Sequence, residues 1–252
     1  MMLKPDCPFF YSMKNYTNRI IPAKEPIYLE GPKPRVNEFF FACNVLQEFI
    51  KGFRTLHFAG PCITVFGSAR FKQNNEYYLA AEEFGKRIAE MGFVTLTGGG
   101  PGIMEAANKG AYENGGKSIG INIKLPFEQH ENPYLHKSVT IDYFFVRKTL
   151  LIKYSYAFII LPGGWGTMDE LFETLTLIQT QSITNFPVVL FGKKYFQPLI
   201  NYIEMMHNEG TISKEDLKHI LLTDDFDAAI THISSYIKNN YTIKLKKRFW
   251  WF

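Results

Sequence analysis

The sequence predicts a doubly wound α/β fold, a mostly parallel sheet with helices on both faces. Three observations carry this expectation. Short apolar runs alternate with amphipathic stretches of helical length, the runs are apolar at consecutive positions as strands covered on both faces require, and glycine-rich turns follow several of them. Strands joined through helices by right-handed crossovers make the sheet parallel and the architecture Rossmann-like, with ligands at the carboxyl ends of the strands.

Residues 1–34 hold Pro5, Pro8, Pro22, Pro26, Pro32 and Pro34, a density that resists regular structure and reads as an extended arm laid over another surface. From Val36 to about Arg54, VNEFFFACNVLQEFIKGFR places Phe39, Phe40, Cys43, Leu46 and Ile50 on one helical face, which predicts a helix packed through that face. CITVFG (62–67) reads as the first buried strand, EYYLAAEEFGKRIAEMG (76–92) as a helix, and FVTLTGGG (93–100) as a strand entering a glycine turn. A helix follows over 103–112. SIGINI (118–123) and SVTIDY (138–143) read as strands, FFVRKTLLIKYS as a helix, and AFIILPGG (157–164) as a strand ending in another glycine turn. Helix 167–180, strand 187–191, helix 195–207 and a last helix near 225–238 complete the order. The expected organisation is an arm plus helix over 1–56, a core over 57–238 and a basic aromatic tail over 239–252.

With 252 residues and 46% hydrophobic content the chain can bury one substantial core. Cys7, Cys43 and Cys62 stand far apart with no CxxC or Cys/His cluster, so neither a disulfide framework nor a zinc site is predicted. No stretch approaches the roughly 20 apolar residues that span a bilayer, and prolines break the N-terminal segment where a signal peptide needs continuity. A soluble protein of the reducing cytoplasm is expected. Net charge is +4, but five basic residues and no acid lie in the last fifteen, which leaves the first 237 residues at −1. A near-neutral body offers no nucleic-acid footprint, and the tail reads as packing on the body or on a partner.

Three turns carry the functional signal: Gly67-Ser68-Ala69-Arg70, Gly98-Gly99-Gly100-Pro101-Gly102 and Pro162-Gly163-Gly164-Trp165-Gly166-Thr167. Glycine permits close backbone approach, and the free N–H groups of a following helix attract anions, so a phosphate can be held without a metal. None is GxGxxG with a later acid and none is GxxxxGK[ST], which argues against dinucleotide and nucleoside-triphosphate chemistry. Thr167 and Glu170, three apart, fit a capping box; they fit equally a hydroxyl and a carboxylate aimed at a bound sugar phosphate.

The stretches TGGGPGIMEAANKGA (97–111), RK at 147–148 and LPGGWGTMDELFE (161–173) resemble the LONELY GUY (LOG) family. Its signature PGGxGTxxE is met without a gap by Pro162, Gly163, Gly164, Gly166, Thr167 and Glu170, and the likeness runs from about Cys62 to Ser235. The resemblance implies a phosphoribohydrolase that frees a purine base, adenine or an N6-modified adenine, from a nucleoside 5′-monophosphate. It implies a homodimer with sites at the interface and no cofactor or metal. The family's catalytic arginine and glutamate fall on Arg147 and Glu170, and phosphate binding falls on Gly163, Gly164, Gly166 and Thr167. Gly99 and Gly100 line the same cleft, with Ser68, Arg70 and Lys148 beside it. Glu105, on the helix after the second turn, is a weaker candidate for a ribose hydroxyl, and His130 and His136 read as solvent-facing.

The chemistry suits these residues independently. Breaking a ribose N-glycosidic bond builds positive charge on C1′ and O4′, which a carboxylate stabilises. An arginine stays charged and grips phosphate or carboxylate, but it is no ordinary general acid, so the proton donor to the leaving base is open. Three rivals remain. A carrier or sensor of a phosphorylated nucleotide or pterin-like cofactor needs the turns but has no evident need for Arg147 with Glu170. A DNA-processing protein needs a basic surface that the body lacks. Pyridoxal phosphate chemistry at His136-Lys137 needs a Schiff-base lysine in a cofactor-sized setting, which the sequence around it does not offer.

Overall fold

The computed structural model describes residues 32–125, 131–184 and 186–241. Of the expected features, the arm up to residue 31, His130 with residues 126–129 of its loop, Cys7, and the tail from residue 242 lie outside them.

The described chain runs α1 (Arg35–Leu56), β1 (Cys62–Phe66), α2 (Glu76–Glu90), β2 (Val94–Thr97), α3 (Ile103–Glu113), β3 (Lys117–Ile123), β4 (Lys137–Ile141), α4 (Phe144–Lys153) and β5 (Ser155–Ile160). It continues through α5 (Trp165–Gln179), β6 (Val188–Phe191), α6 (Lys193–Asn208), α7 (Lys214–Leu217), β7 (Ile220–Thr223) and α8 (Phe226–Asn240). The strands form one sheet in the order β4-β3-β2-β1-β5-β6-β7, and every pairing is parallel. The expected Rossmann-like fold is therefore present. The chain reverses its direction of sheet growth between β1 and β5, and at such a switch point a crevice opens beyond the strand ends.

Strand side chains alternate between the two faces and build two cores. Cys62 and Phe66 of β1 join Phe158 and Ile160 of β5 against α4, α5 and α6, while Ile63, Val65, Ala157 and Ile159 face α2, α3 and α8. Both cores need apolar residues, which is why the strands read as uninterrupted apolar runs. β7 was not expected: its ILLT is too short to display a period, and its pairing with β6 over Val188 to Phe191 makes it a strand.

The N-terminal helix forms as expected but packs through a different face. Val45 and Phe49 pack against the core, Leu56 is buried, and Gly52 lies so close to Leu150 of α4 that a Cβ would collide with it. Phe39, Phe40, Leu46 and Ile50, expected inside, are exposed, and Cys43 among them is only half-buried. The helix carries two apolar faces, and periodicity alone does not say which one the body covers.

Candidate active site

Ser68 joins the three turns. Its N–H donates to Pro162 O (3.0 Å), its carbonyl accepts from Ile103 N–H (3.0 Å), and its hydroxyl accepts from Arg70 N–H (3.1 Å). The ends of β1 and β5 and the start of α3 are thus held together at the switch point. Tyr195 of α6 adds a hydroxyl bond to Gly163 O (2.6 Å).

Against these turns lie Arg147 of α4 and Glu170 of α5. Arg147 Nε donates to Ile121 O of β3 (2.8 Å), and its guanidinium fills the space over Gly98, where a Cβ would strike it. Gly98 was not among the expected site residues; its need for bareness comes from a side chain 49 positions away. Glu170 is 4% exposed, and its Oε2 is buried with no hydrogen-bond partner among the described residues. Burial pushes its carboxyl up to about 7; Arg147 and Lys148 oppose that shift, and Glu173 and Asp169 add to it. Burial also lowers the Arg147 pKa, which Glu170 partly restores, so each charge depends on the other.

The capping-box reading of Thr167 and Glu170 does not hold. α5 begins at Trp165 with Gly164 as its N-cap, and no side chain caps it. Thr167 is buried in the first turn, its Oγ1 against Gly163, and Glu170 lies a turn deeper. The helix therefore offers its first N–H groups uncapped, which favours an anion. A Cβ on Gly164 or Gly166 would meet nothing within 4 Å, so the protein's own packing does not require glycine there.

The second turn is supported by a buried polar network that sequence reasoning missed. Asn108 Oδ1 accepts from Thr97 Oγ1 (2.6 Å) and Asn132 Nδ2 (3.0 Å), and its Nδ2 donates to Ser118 Oγ (2.7 Å). Asn132 also donates to Gly100 O (3.1 Å), and its N–H to Gly99 O (3.0 Å). Gly99 adopts φ +73°, and a Cβ there would strike Asn122. The only sequence signal for this network was polar residues at core positions.

Not every expected residue joins the pair. Lys148 holds Asp169 (3.0 Å) and Glu173 (2.8 Å), tying α4 to α5. Glu105 accepts from Tyr78 OH (3.1 Å) and, with Arg70, Lys72 and Gly102, lines an adjoining groove of about 630 Å³. His136 is exposed, lies tilted against the Tyr112 ring at 4.6 Å and accepts from Ser118 N–H, a packing role. Among the described residues no His/Cys/Asp/Glu group is placed to hold a metal.

A family profile described as "Possible lysine decarboxylase" matches residues 104–233. That chemistry would need a free lysine amine for pyridoxal phosphate. Lys148 is bound to two carboxylates and Lys137 is exposed at the start of β4, so neither fits the cofactor. The chain is 31% identical over 179 residues to the cytokinin riboside 5′-monophosphate phosphoribohydrolase of Rhodococcoides fascians, covering 69% of this chain and 89% of that one. It is 32% identical over 176 residues to the cytokinin riboside 5′-monophosphate phosphoribohydrolase LOG of Oryza sativa subsp. japonica, covering 68% and 71%. Among solved structures, the Moco carrier protein of Chlamydomonas reinhardtii superposes with a TM-score of 0.52 at 26% identity, over 71% of this chain and 99% of that one. The molybdenum cofactor binding protein of Rippkaea orientalis, at 24% identity and a TM-score of 0.54 over 71% and 99%, shares the fold.

Proposed function

The chain belongs to the LONELY GUY (LOG) family, and from that premise we propose that it hydrolyses the N-glycosidic bond of a purine nucleoside 5′-monophosphate. Adenine, as in an AMP nucleosidase, or an N6-modified adenine is the base released. The observation that carries the reading is the buried Glu170 carboxyl, unpartnered at Oε2, coupled to Arg147 and standing behind an uncapped helix start.

The 5′-phosphate binds at the α5 N-terminus, where Gly163, Gly164, Gly166 and Thr167 leave the N–H groups approachable. The bareness of Gly164 and Gly166, unexplained by packing, supports this placement. Gly99 and Gly100 form the opposite wall, and Arg147 secures the sugar phosphate and favours the ionised form of Glu170 against its burial. As the C1′–N bond lengthens, the Glu170 carboxylate stabilises the oxocarbenium charge and takes a proton from the attacking water. Water oxygen bonds to C1′, the electron pair of the broken bond goes to the base, and the base leaves carrying a proton. A carboxyl titrating near 7 can hold that proton between the two events. Ser68 secures the cleft, Lys148 positions α5 through its ion pairs, and the groove beside Arg70 and Glu105 extends the substrate site.

Trp165 is 93% exposed and Phe144, Phe145 and Phe172 lie open on the same two helices that carry the catalytic pair. We assign this surface to a second copy, giving a homodimer with its sites at the interface. Among the described residues no helix is long and apolar enough to cross a membrane, and Cys43 and Cys62 are free thiols; both agree with action in the cytoplasm.

The test is chromatographic detection of free base after incubation with AMP, GMP, CMP and N6-isopentenyladenosine monophosphate, each beside its unphosphorylated nucleoside. Base released only from monophosphates is the expected result. The likeness to the Moco carrier of Chlamydomonas favours one second reading, a carrier of a phosphorylated pterin-like cofactor. Binding of monophosphate without release of any base would select it.

A further inference from the structure

The exposed face of α1 has a period that its packing on the body does not explain. Val36, Phe39, Cys43, Leu46, Ile50 and Phe53 are spaced 3, 4, 3, 4 and 3 residues apart, the a/d seam of a coiled coil carried through the helix. The five other than Cys43 are between 38% and 65% exposed. About a third of a turn round the same helix, Val45, Phe49, Gly52 and Leu56 form the side already against the body, with Phe53 at the edge between the two stripes, 5.7 Å from Phe49 and beneath Lys153. One helix thus presents two seams, and one of them is open.

We propose that this open seam pairs, antiparallel, with the same helix of a second copy of the chain. Self-pairing follows from the layers. With the two-fold axis between Asn44 and Val45, Val36 meets Phe53, Phe39 meets Ile50 and Cys43 meets Leu46, so each layer combines a larger with a smaller side chain. A parallel pair would stack Phe on Phe and Cys on Cys, alternating crowded and hollow layers, and close packing disfavours that. Antiparallel helix dipoles also attract. Six side chains of this size and openness offer on the order of 500 Å² of apolar surface per helix, about 1,000 Å² over the two, which reaches the area a specific interface needs. A patch of this size is at the upper end of what an isolated chain leaves open, where such patches are commonly binding surfaces.

The test uses the full chain. Sedimentation equilibrium of wild type and Leu46→Glu is expected to show the variant at half the wild-type mass, the pairing through α4 and α5 being untouched, with circular dichroism alongside to show that it is folded. Should Leu46→Glu fail to fold, cysteine pairing decides. In a Cys7→Ser, Cys43→Ser background, Phe39→Cys with Ile50→Cys forms interchain disulfides on oxidation, whereas Phe39→Cys alone does not, since its two copies lie about 16 Å apart along the antiparallel pair. Equal masses, or no linked dimer from the double variant, would overturn the pairing and leave the seam to the segment before residue 32 or to a different protein. Efficient linking through Phe39→Cys alone would overturn the antiparallel arrangement. Neither measurement depends on which substrate the enzyme cleaves.

Discussion

Arg147 and Gly98 share one space: the guanidinium from α4 lies where a Cβ on the second glycine turn would project. Gly98 does not use a positive φ, so alanine is tolerated by the backbone and excluded by Arg147, with the Met104 sulfur also in the way. Gly98→Ala is expected to fold and to lose about 100-fold in kcat/KM through displacement of Arg147. Wild-type kcat/KM in this variant would show that the arginine's position is not needed for turnover.

Gly166→Ala tests the opposite situation. Its Cβ meets nothing in the protein, so any effect falls on the ligand. Thermal stability is expected to stay within a few degrees of wild type, with weaker monophosphate binding by titration calorimetry. Unchanged affinity would remove the phosphate from this helix start.

Glu170 is held against its own ionisation. A carboxyl raised from 4.5 to about 7 in the folded state weakens folding progressively as pH rises through that window, and by about 3 kcal/mol once it is fully ionised. Glu170→Gln, neutral and of the same shape, is therefore expected to melt several degrees above wild type at pH 8 and close to it at pH 4.5, while losing most turnover. Equal melting at pH 8 would show that the carboxylate bears no such cost.

The same carboxyl sets the pH profile. With the ionised form as the working one, kcat/KM rises with pH through about 7 and levels above it. Lys148 favours the ionised form and Glu173 disfavours it. Lys148→Met is expected to move the limb to higher pH, and Glu173→Gln to lower pH. A profile that ignores both changes would assign the limb to another group.

Asn108 bonds Thr97, Ser118 and Asn132 at once in a buried setting. Asn108→Ala leaves those groups without their partner and is expected to cost about 2–4 kcal/mol by denaturant unfolding, with activity falling as the second turn loses its support. A loss below 1 kcal/mol would mean that water replaces the asparagine without penalty.

What the sequence determined by itself is what local pattern encodes. Apolar runs and helical periods announced six of the seven strands and the helices between them, and the unbroken PGGxGTxxE stretch named Gly163, Thr167 and Glu170. The strand ILLT at 220–223 escaped because four apolar residues carry no period until a neighbour pairs with them. Tertiary structure alone decided the rest. It chose the face of α1 to bury, since two stripes of one helix compete for one body and only the body's shape selects. It took Glu170 from helix cap to buried carboxyl, because a carboxyl's environment is made by α4, α5 and the turns together, and burial rather than spacing raised its pKa. It also gave Gly98 its reason, a guanidinium that distant chain brings to within contact.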